Sequence, residues 1–374
     1  MEQKVVVFCS HGYGSLGLIR TLGEAGYRPE CYCYGDTGDL LMASKYVSKG
    51  RIFKTVEEAF DFLLNEYPCY PNKPFLFTIP DPPAYLVDRH LGRMIEKFIL
   101  MSAEEQGRLG YWMDKRNQAD IARKHGLITP WTITMSKQDE IPGDIEYPVF
   151  TKSMKSADGG KGDEHICRSR EELEEKKALM ASETFLVMKY ISKKQERCYF
   201  GMAVKGKVYI DYYNELTRFR EGGYGYYNTF RKCKDDDIYR KCISMMEEIG
   251  YDGLFDIEFL LGDDDVLYFM EINFRVDGAI YKVAEGVNLP DAWISLADVD
   301  KKDLPDHLTT KKDCFTGITE IHDFKTSVMT GQVSPLKWLW QLCTADRRMT
   351  LNFHDPKPLF LRMSYFFKNR FRKK

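Results

Sequence analysis

The chain has 374 residues, long enough for two or three domains with sizeable cores. Hydrophobic residues make up 44% and charged residues 29%, the balance of a globular protein rather than a disordered one. The net charge of −2 gives no overall field for nucleic acid, and no apolar run reaches the length needed to span a membrane.

Met1-Glu2-Gln3-Lys4 ahead of residues 5–8 is too short and too acidic for a signal peptide, so a cytoplasmic location is expected. The ten cysteines show no CxxC pair and no Cys/His zinc spacing, which fits thiols in a reducing compartment.

Residues 4–10 (KVVVFCS) read as a buried strand, 11–17 as a glycine-rich loop, and a helix begins in 18–25. Residues 29–34 predict a second strand, 56–65 a helix, and 74–79 a third strand closing at Pro80-Asp81-Pro82-Pro83. This alternation implies a parallel sheet with helices on its faces. Residues 114–126 predict a helix ended by Gly126, with Pro130 beyond it.

From residue 147 the pattern turns antiparallel. Strands are expected at 147–153, 165–168 and 184–191, with an acidic helix over 170–180. A hairpin over 199–204 and 207–213 turns at Lys205-Gly206, and a helix over 242–250 follows.

Gly12-Tyr13-Gly14-Ser15-Leu16-Gly17 matches G-x-G-x-x-G, with Asp36 about twenty residues on. Dinucleotide binding, hence an NAD(P)-dependent oxidoreductase, is one reading. A site for a substrate anion at Gly12, Gly14 and Ser15 is another, and a plain tight turn is the third. Residues 151–162 carry Lys152, Lys155 and Lys161 around small residues including Gly159 and Gly160. Such a loop can bring backbone amides and ammonium groups to phosphate oxygens.

Residues 254–261 and 266–272 alternate around Gly262-Asp263-Asp264-Asp265, the pattern of a β-hairpin. Glu258 then faces Glu271, with Asn273 two residues on along the same face. Two carboxylates and an amide are hard ligands suited to Mg²⁺, which takes phosphates and water for the rest of its shell. Arg275 continues that face. The bland alternative is an amphipathic hairpin with a solvated acidic face.

In order, the chain offers Lys115 at a helix start, Lys152 with its flap, the strand end Met188-Lys189-Tyr190-Ile191 with Glu196 trailing, and the Glu258, Glu271, Asn273 set. This ordered set resembles the ATP-grasp superfamily over residues 112–282. The resemblance implies a Rossmann-like N-terminal domain (1–110), a small ATP-grasp lobe (111–187), a large lobe (188–330) and a C-terminal extension (331–374). It implies ADP-forming ligation with ATP and Mg²⁺ as cofactors, nearest to carboxylate–amine ligases, the D-aspartate ligase-like group among them. An ATP-grasp kinase would look the same in its ATP half.

By that resemblance Lys115, Lys152, Lys155, Gly159 and Gly160 contact phosphates. Met188, Lys189, Tyr190 and Ile191 hold adenine, and Glu196 holds ribose. Glu258, Glu271 and Asn273 bind the metal, and Lys152 and Arg275 act in catalysis. The hinge residue often acidic in the superfamily is Met188 or Lys189 here.

Residues 217–231, with Arg218, Arg220 and Arg231 around a Gly/Tyr-rich loop, suggest a cover over substrate, and Asp277 a site for a substrate amine. Residues 357–374 interleave basic and aromatic side chains, which suggests peripheral contact with an anionic membrane and a role in envelope or polysaccharide precursors. Small-molecule acid and amine partners, no nucleic acid, and a homodimer complete the expectations.

Overall fold

The computed structural model describes residues 3–154, 160–219, 225–297 and 312–371. Strands β1 (Val5–Ser10), β2 (Glu30–Tyr34), β3 (Lys49–Phe53), β4 (Phe75–Ile79) and β5 (Ile99–Leu100) form an all-parallel sheet ordered β3-β2-β1-β4-β5. Val5, Val7 and Cys9 face one core while Val6 and Phe8 face another, so both sides of β1 are covered. The sequence reading misses β3. It is an edge strand with four of five residues exposed, so it shows no apolar alternation.

Strands β6 (Thr132–Ser136), β7 (Val149–Ser153), β8 (His165–Cys167) and β9 (Thr184–Lys189) form an antiparallel sheet ordered β6-β9-β7-β8. It packs its own small core around Val149, Leu173, Phe185 and Val187. Helix Lys115–Lys124 leads into it. Asp114 caps that helix by accepting the Arg116 N–H at 2.9 Å, and Gly126 at φ +74° lets the chain leave it.

The remaining strands are β10 (Lys193–Val204), β11 (Lys207–Leu216), β12 (Tyr227–Lys232), β13 (Gly253–Gly262), β14 (Leu267–Asn273), β15 (Cys314–Ile318) and β16 (Arg347–Arg348). They make one seven-stranded sheet ordered β14-β13-β10-β11-β12-β15-β16. Its inner face shares a continuous core with one face of the parallel sheet. Trp293 links them, standing edge-on to Phe75 and Phe77 with ring centroids 5.4 and 5.5 Å away.

Residues 357–371 form a helix in which Phe360 and Met363 are exposed. Among the described residues no helix is long and apolar enough to cross a membrane. All ten cysteines are free thiols.

Candidate active site

The hairpin β13–β14 pairs antiparallel with Glu258 opposite Glu271 and Asp256 opposite Asn273. The expected facing pair is therefore present. The Lys152 ammonium lies 3.3 Å and the Lys115 ammonium 3.5 Å from the same oxygen of Glu271. Lys152 comes from β7 of the small sheet and Lys115 from the start of helix Lys115–Lys124, so one carboxylate ties two elements to the hairpin. The Lys115 N–H also donates to the Met154 carbonyl at 3.1 Å.

Burial opposes ionisation of Glu271, but Lys115 and Lys152 outweigh it and hold its carboxyl down at about 2. Glu258 is pushed well above the usual carboxylate range, first by burial and then by Glu271 and Asp256. Burial lowers Lys152, with Glu271 opposing the shift.

Asp256 was not singled out from sequence. It is fully buried and accepts from Asn273 Nδ2 at 2.9 Å and from the Arg275 guanidinium at 2.6 Å. The same Asn273 amide donates to Glu258 at 3.0 Å. Arg275 also lies 3.4 Å from both Asp81 and Asp277. Three carboxylates thus occupy Arg275, and it is not part of the cavity lining. Here it joins the end of β4 to the hairpin.

A cavity of about 450 Å³ opens between the two antiparallel sheets. Phe150, Lys152 and the hinge residues Met188, Lys189, Tyr190 and Ile191 line it from the small sheet, and Glu196, Glu258 and Glu271 from the large one. Met188 and Ile191 are buried. The backbone N–H groups of Lys189 and Tyr190 donate to the carbonyls of Trp131 and Pro148, at 2.8 and 3.2 Å. The Lys189 ammonium reaches the Tyr268 hydroxyl at 3.1 Å. Glu196 pairs with Lys193.

The expected glycine-rich loop is instead the first turns of a helix, Tyr13–Glu24, whose Tyr13 and Gly14 line the same cavity. Their neighbours explain two of the three glycines without a dinucleotide. A Cβ on Gly14 would stand 2.9 Å from the Gly278 Cα, and one on Gly17 would stand 3.0 Å from the Tyr281 Cβ. Ser15 donates to the Ser10 carbonyl at 2.7 Å, and Gly12 has open space where a Cβ would sit.

Asp277 lines the cavity and accepts the Ala279 N–H at 2.6 Å. Arg218 does not line it. Its guanidinium is held by the buried Asp323 and by Gln341, over the Tyr227 ring. Arg231 pairs with Glu215. Lys155, Gly159 and Arg220 lie outside the described residues, and Gly160 opens the short turn Gly160–Asp163.

Two antiparallel sheets closing on a cavity floored by a facing carboxylate pair, set behind a parallel-sheet domain, define the ATP-grasp fold. A family model for "ATP-grasp in the biosynthetic pathway with Ter operon" matches residues 181–314. Over those residues, about a third of the chain, the sequence is similar to that ATP-grasp family.

Solved structures of the same fold include an L-amino acid ligase from Bacillus licheniformis (14% identity, 79% of this chain and 74% of that one, TM-score 0.62). Another is an N5-carboxyaminoimidazole synthetase from Staphylococcus aureus (12% identity, 90% and 88%, TM-score 0.63). A third is a biotin carboxylase from Campylobacter jejuni (16% identity, 84% and 75%, TM-score 0.60). A comparison with curated protein sequences finds no match.

Proposed function

We propose that the protein is an ATP- and Mg²⁺-dependent ligase that joins a carboxylate to an amine through an acyl-phosphate. The observation that carries this reading is the Glu258–Glu271 pair, with Lys115 and Lys152 on Glu271, at the wall of a cavity wide enough for a nucleotide.

The residues fit a divalent cation. Around the hairpin stand the carboxylates of Asp81, Asp256, Glu258, Glu271 and Asp277, against the cations Lys115, Lys152 and Arg275. With all five ionised they would exceed the three cations by two charges, and a divalent ion would supply the positive charge whose lack keeps Glu258 above the usual carboxylate range. Among the described residues no three His, Cys, Asp or Glu side chains gather as a ligand cluster. The protein would then supply Glu258, Glu271 and the Asn273 amide oxygen, with phosphate oxygens and water as the remaining hard ligands. Asn273 presents its NH₂ to Asp256 and Glu258 here, so ligation would require the amide to turn over. The ion would neutralise charge on the β- and γ-phosphates.

The chain's own residues supply position and charge. Lys152 and Lys115 would exchange Glu271 for phosphate oxygens, and the apolar walls Phe150, Met188, Ile191, Leu260 and Met270 would take the base. A substrate carboxylate oxygen attacks the γ-phosphorus and the bond to the β-bridging oxygen breaks, giving ADP and an acyl-phosphate. An amine nitrogen then attacks the acyl carbon, phosphate leaves, and the nitrogen loses a proton. Asp277, at the cavity wall, is placed to attract a cationic amine.

Hydroxylamine trapping separates this outcome from a kinase. Incubation with ATP, Mg²⁺, candidate acids and hydroxylamine should give a hydroxamate together with ADP. A stable phosphorylated product that resists hydroxylamine would favour the kinase.

A further inference from the structure

Lys282 stands on the short helix Ile280–Val283 that follows the Asp277 turn, and it lines the cavity. It is only 5% exposed. Its ammonium donates to Asn228 Oδ1 on β12 and, at 3.4 Å, to Thr319 Oγ1 just past β15. Both partners are neutral. Among the described residues, no carboxylate lies within ion-pair distance of its nitrogen.

The acidic side chains that bear on Lys282 electrostatically are Asp277, Glu320 and Asp323, and each is engaged elsewhere. Asp277 accepts from Ala279 and faces Arg275. Glu320 accepts the N–H groups of Thr350 and Leu351 at 2.9 and 2.8 Å. Asp323 is held by Arg218 and by Trp338 Nε1. A buried ammonium with only neutral partners is unfavourable unless a counter-charge arrives. Burial accordingly lowers its pKa to about 8, with those three carboxylates opposing the shift.

The fold makes room for this lysine. A Cβ on Gly317 would stand 2.7 Å from its Cδ and 2.8 Å from its Cγ, so Gly317 leaves the slot in which the aliphatic stem lies. Tyr226, His322 and Tyr13 line the cavity as well, with Tyr226 stacked on His322 at 5.0 Å and Tyr13 edge-on to it at 5.2 Å. In the order β13-β10-β11-β12, Asn228 lies three strand spacings from Glu258, roughly 14 Å. One carboxylate cannot meet both ends.

We infer that Lys282, with Asn228 and Thr319, forms an anion subsite at the far end of the cavity that holds a carboxylate or phosphate-ester group of a substrate other than the carboxylate that is activated. This rests on the ligase reading for which end receives the nucleotide. Substrates with a second anionic group are the class the subsite selects.

The test is calorimetric titration of the full chain and of K282M with acetate, succinate, L-glutamate, inorganic phosphate and glycerol 3-phosphate, with and without Mg²⁺ and a non-hydrolysable ATP analogue. Wild type should bind at least one of the last four saturably and more tightly than acetate. Affinity should fall roughly 10- to 100-fold in K282M, the loss of one charged hydrogen bond. Succinate against glycerol 3-phosphate decides between the two anion chemistries. Wild-type affinity should also decline as pH rises through about 8, where the ammonium is lost.

Without ligand, K282M should melt no lower than wild type, because it removes a buried charge. No saturable anion binding by wild type, or equal affinity in both proteins, would overturn the subsite. A K282M protein that melts lower with anion affinity unchanged would make Lys282 structural. Loss of the subsite with nucleotide binding intact leaves the ligase reading standing. Failure of wild type to bind the nucleotide defeats that reading instead.

Discussion

Glu271 holds the ammonium groups of Lys115 and Lys152 on one oxygen, and in the proposed site it would also hold the metal. Glu271→Gln keeps the shape but removes the charge. Mg²⁺-dependent ATP turnover should fall at least about 100-fold while the variant still folds, as checked by an ADP-release assay beside circular dichroism. Turnover at the wild-type level would remove Glu271 from the metal site. Lys152→Ala removes a buried cation that contacts Glu271 and lines the cavity. The dissociation constant for an ATP analogue should rise roughly 10- to 100-fold, and an unchanged value would place the phosphates elsewhere.

At the scale of elements, the contact between the start of helix Tyr13–Glu24 and the turn after β14 depends on the absence of a side chain at residue 14. Gly14→Ala sets a Cβ against backbone rather than against a yielding side-chain tip. It should destabilise the protein by about 1–3 kcal/mol and shift the Asp277 turn, read as a lower urea midpoint at constant slope. An unchanged midpoint would mean the helix start and the turn can part freely.

The β13–β14 hairpin was legible because its period-two alternation fixes which side chains face each other. Alternation puts Glu258 and Glu271 within reach, but unbroken pairing from Leu261–Leu267 would set Glu258 opposite Met270, and a one-residue register shift beside Phe259 brings it opposite Glu271. Asp256 sits two residues earlier on the same strand, but its role depends on Arg275, Asp81 and Asp277 meeting across elements. Arg218 looked free to meet substrate because nothing near it in sequence reveals Asp323, 105 residues on. Nothing near Lys282 in sequence marks it, and its burial follows from a slot left by Gly317, 35 residues on. Strand β3, exposed along most of its length, left no hydrophobic signature at all.

Across the whole molecule, the C-terminal segment reads in sequence as an extension, yet part of it is built into the body. Strand β16 pairs parallel with β15, and Arg347 bridges Glu24 and Glu285 at 2.6 and 2.8 Å. Asp355, 1% exposed, accepts from the fully buried Arg20 at 2.9 Å, from Ser44 Oγ at 2.8 Å and from the Lys45 N–H at 2.9 Å. Asp355→Ala would leave the Arg20 charge buried without its partner and should cost roughly 3–5 kcal/mol. Deleting residues 357–374 keeps that pair and should leave most of the stability. Equal urea midpoints for Asp355→Ala and wild type would show that the segment docks without this ion pair.

The account as a whole depends on the cavity between the two antiparallel sheets being a metal–nucleotide site. Calorimetric titration of the full chain with a non-hydrolysable ATP analogue, with and without Mg²⁺, and separately with NADH and NADPH, tests this directly. Saturable binding of the ATP analogue that strengthens with Mg²⁺, and no binding of either dinucleotide, is the expected result. Binding of NADH or NADPH with none of the ATP analogue would contradict it and return the cofactor to the loop at Gly12–Gly17.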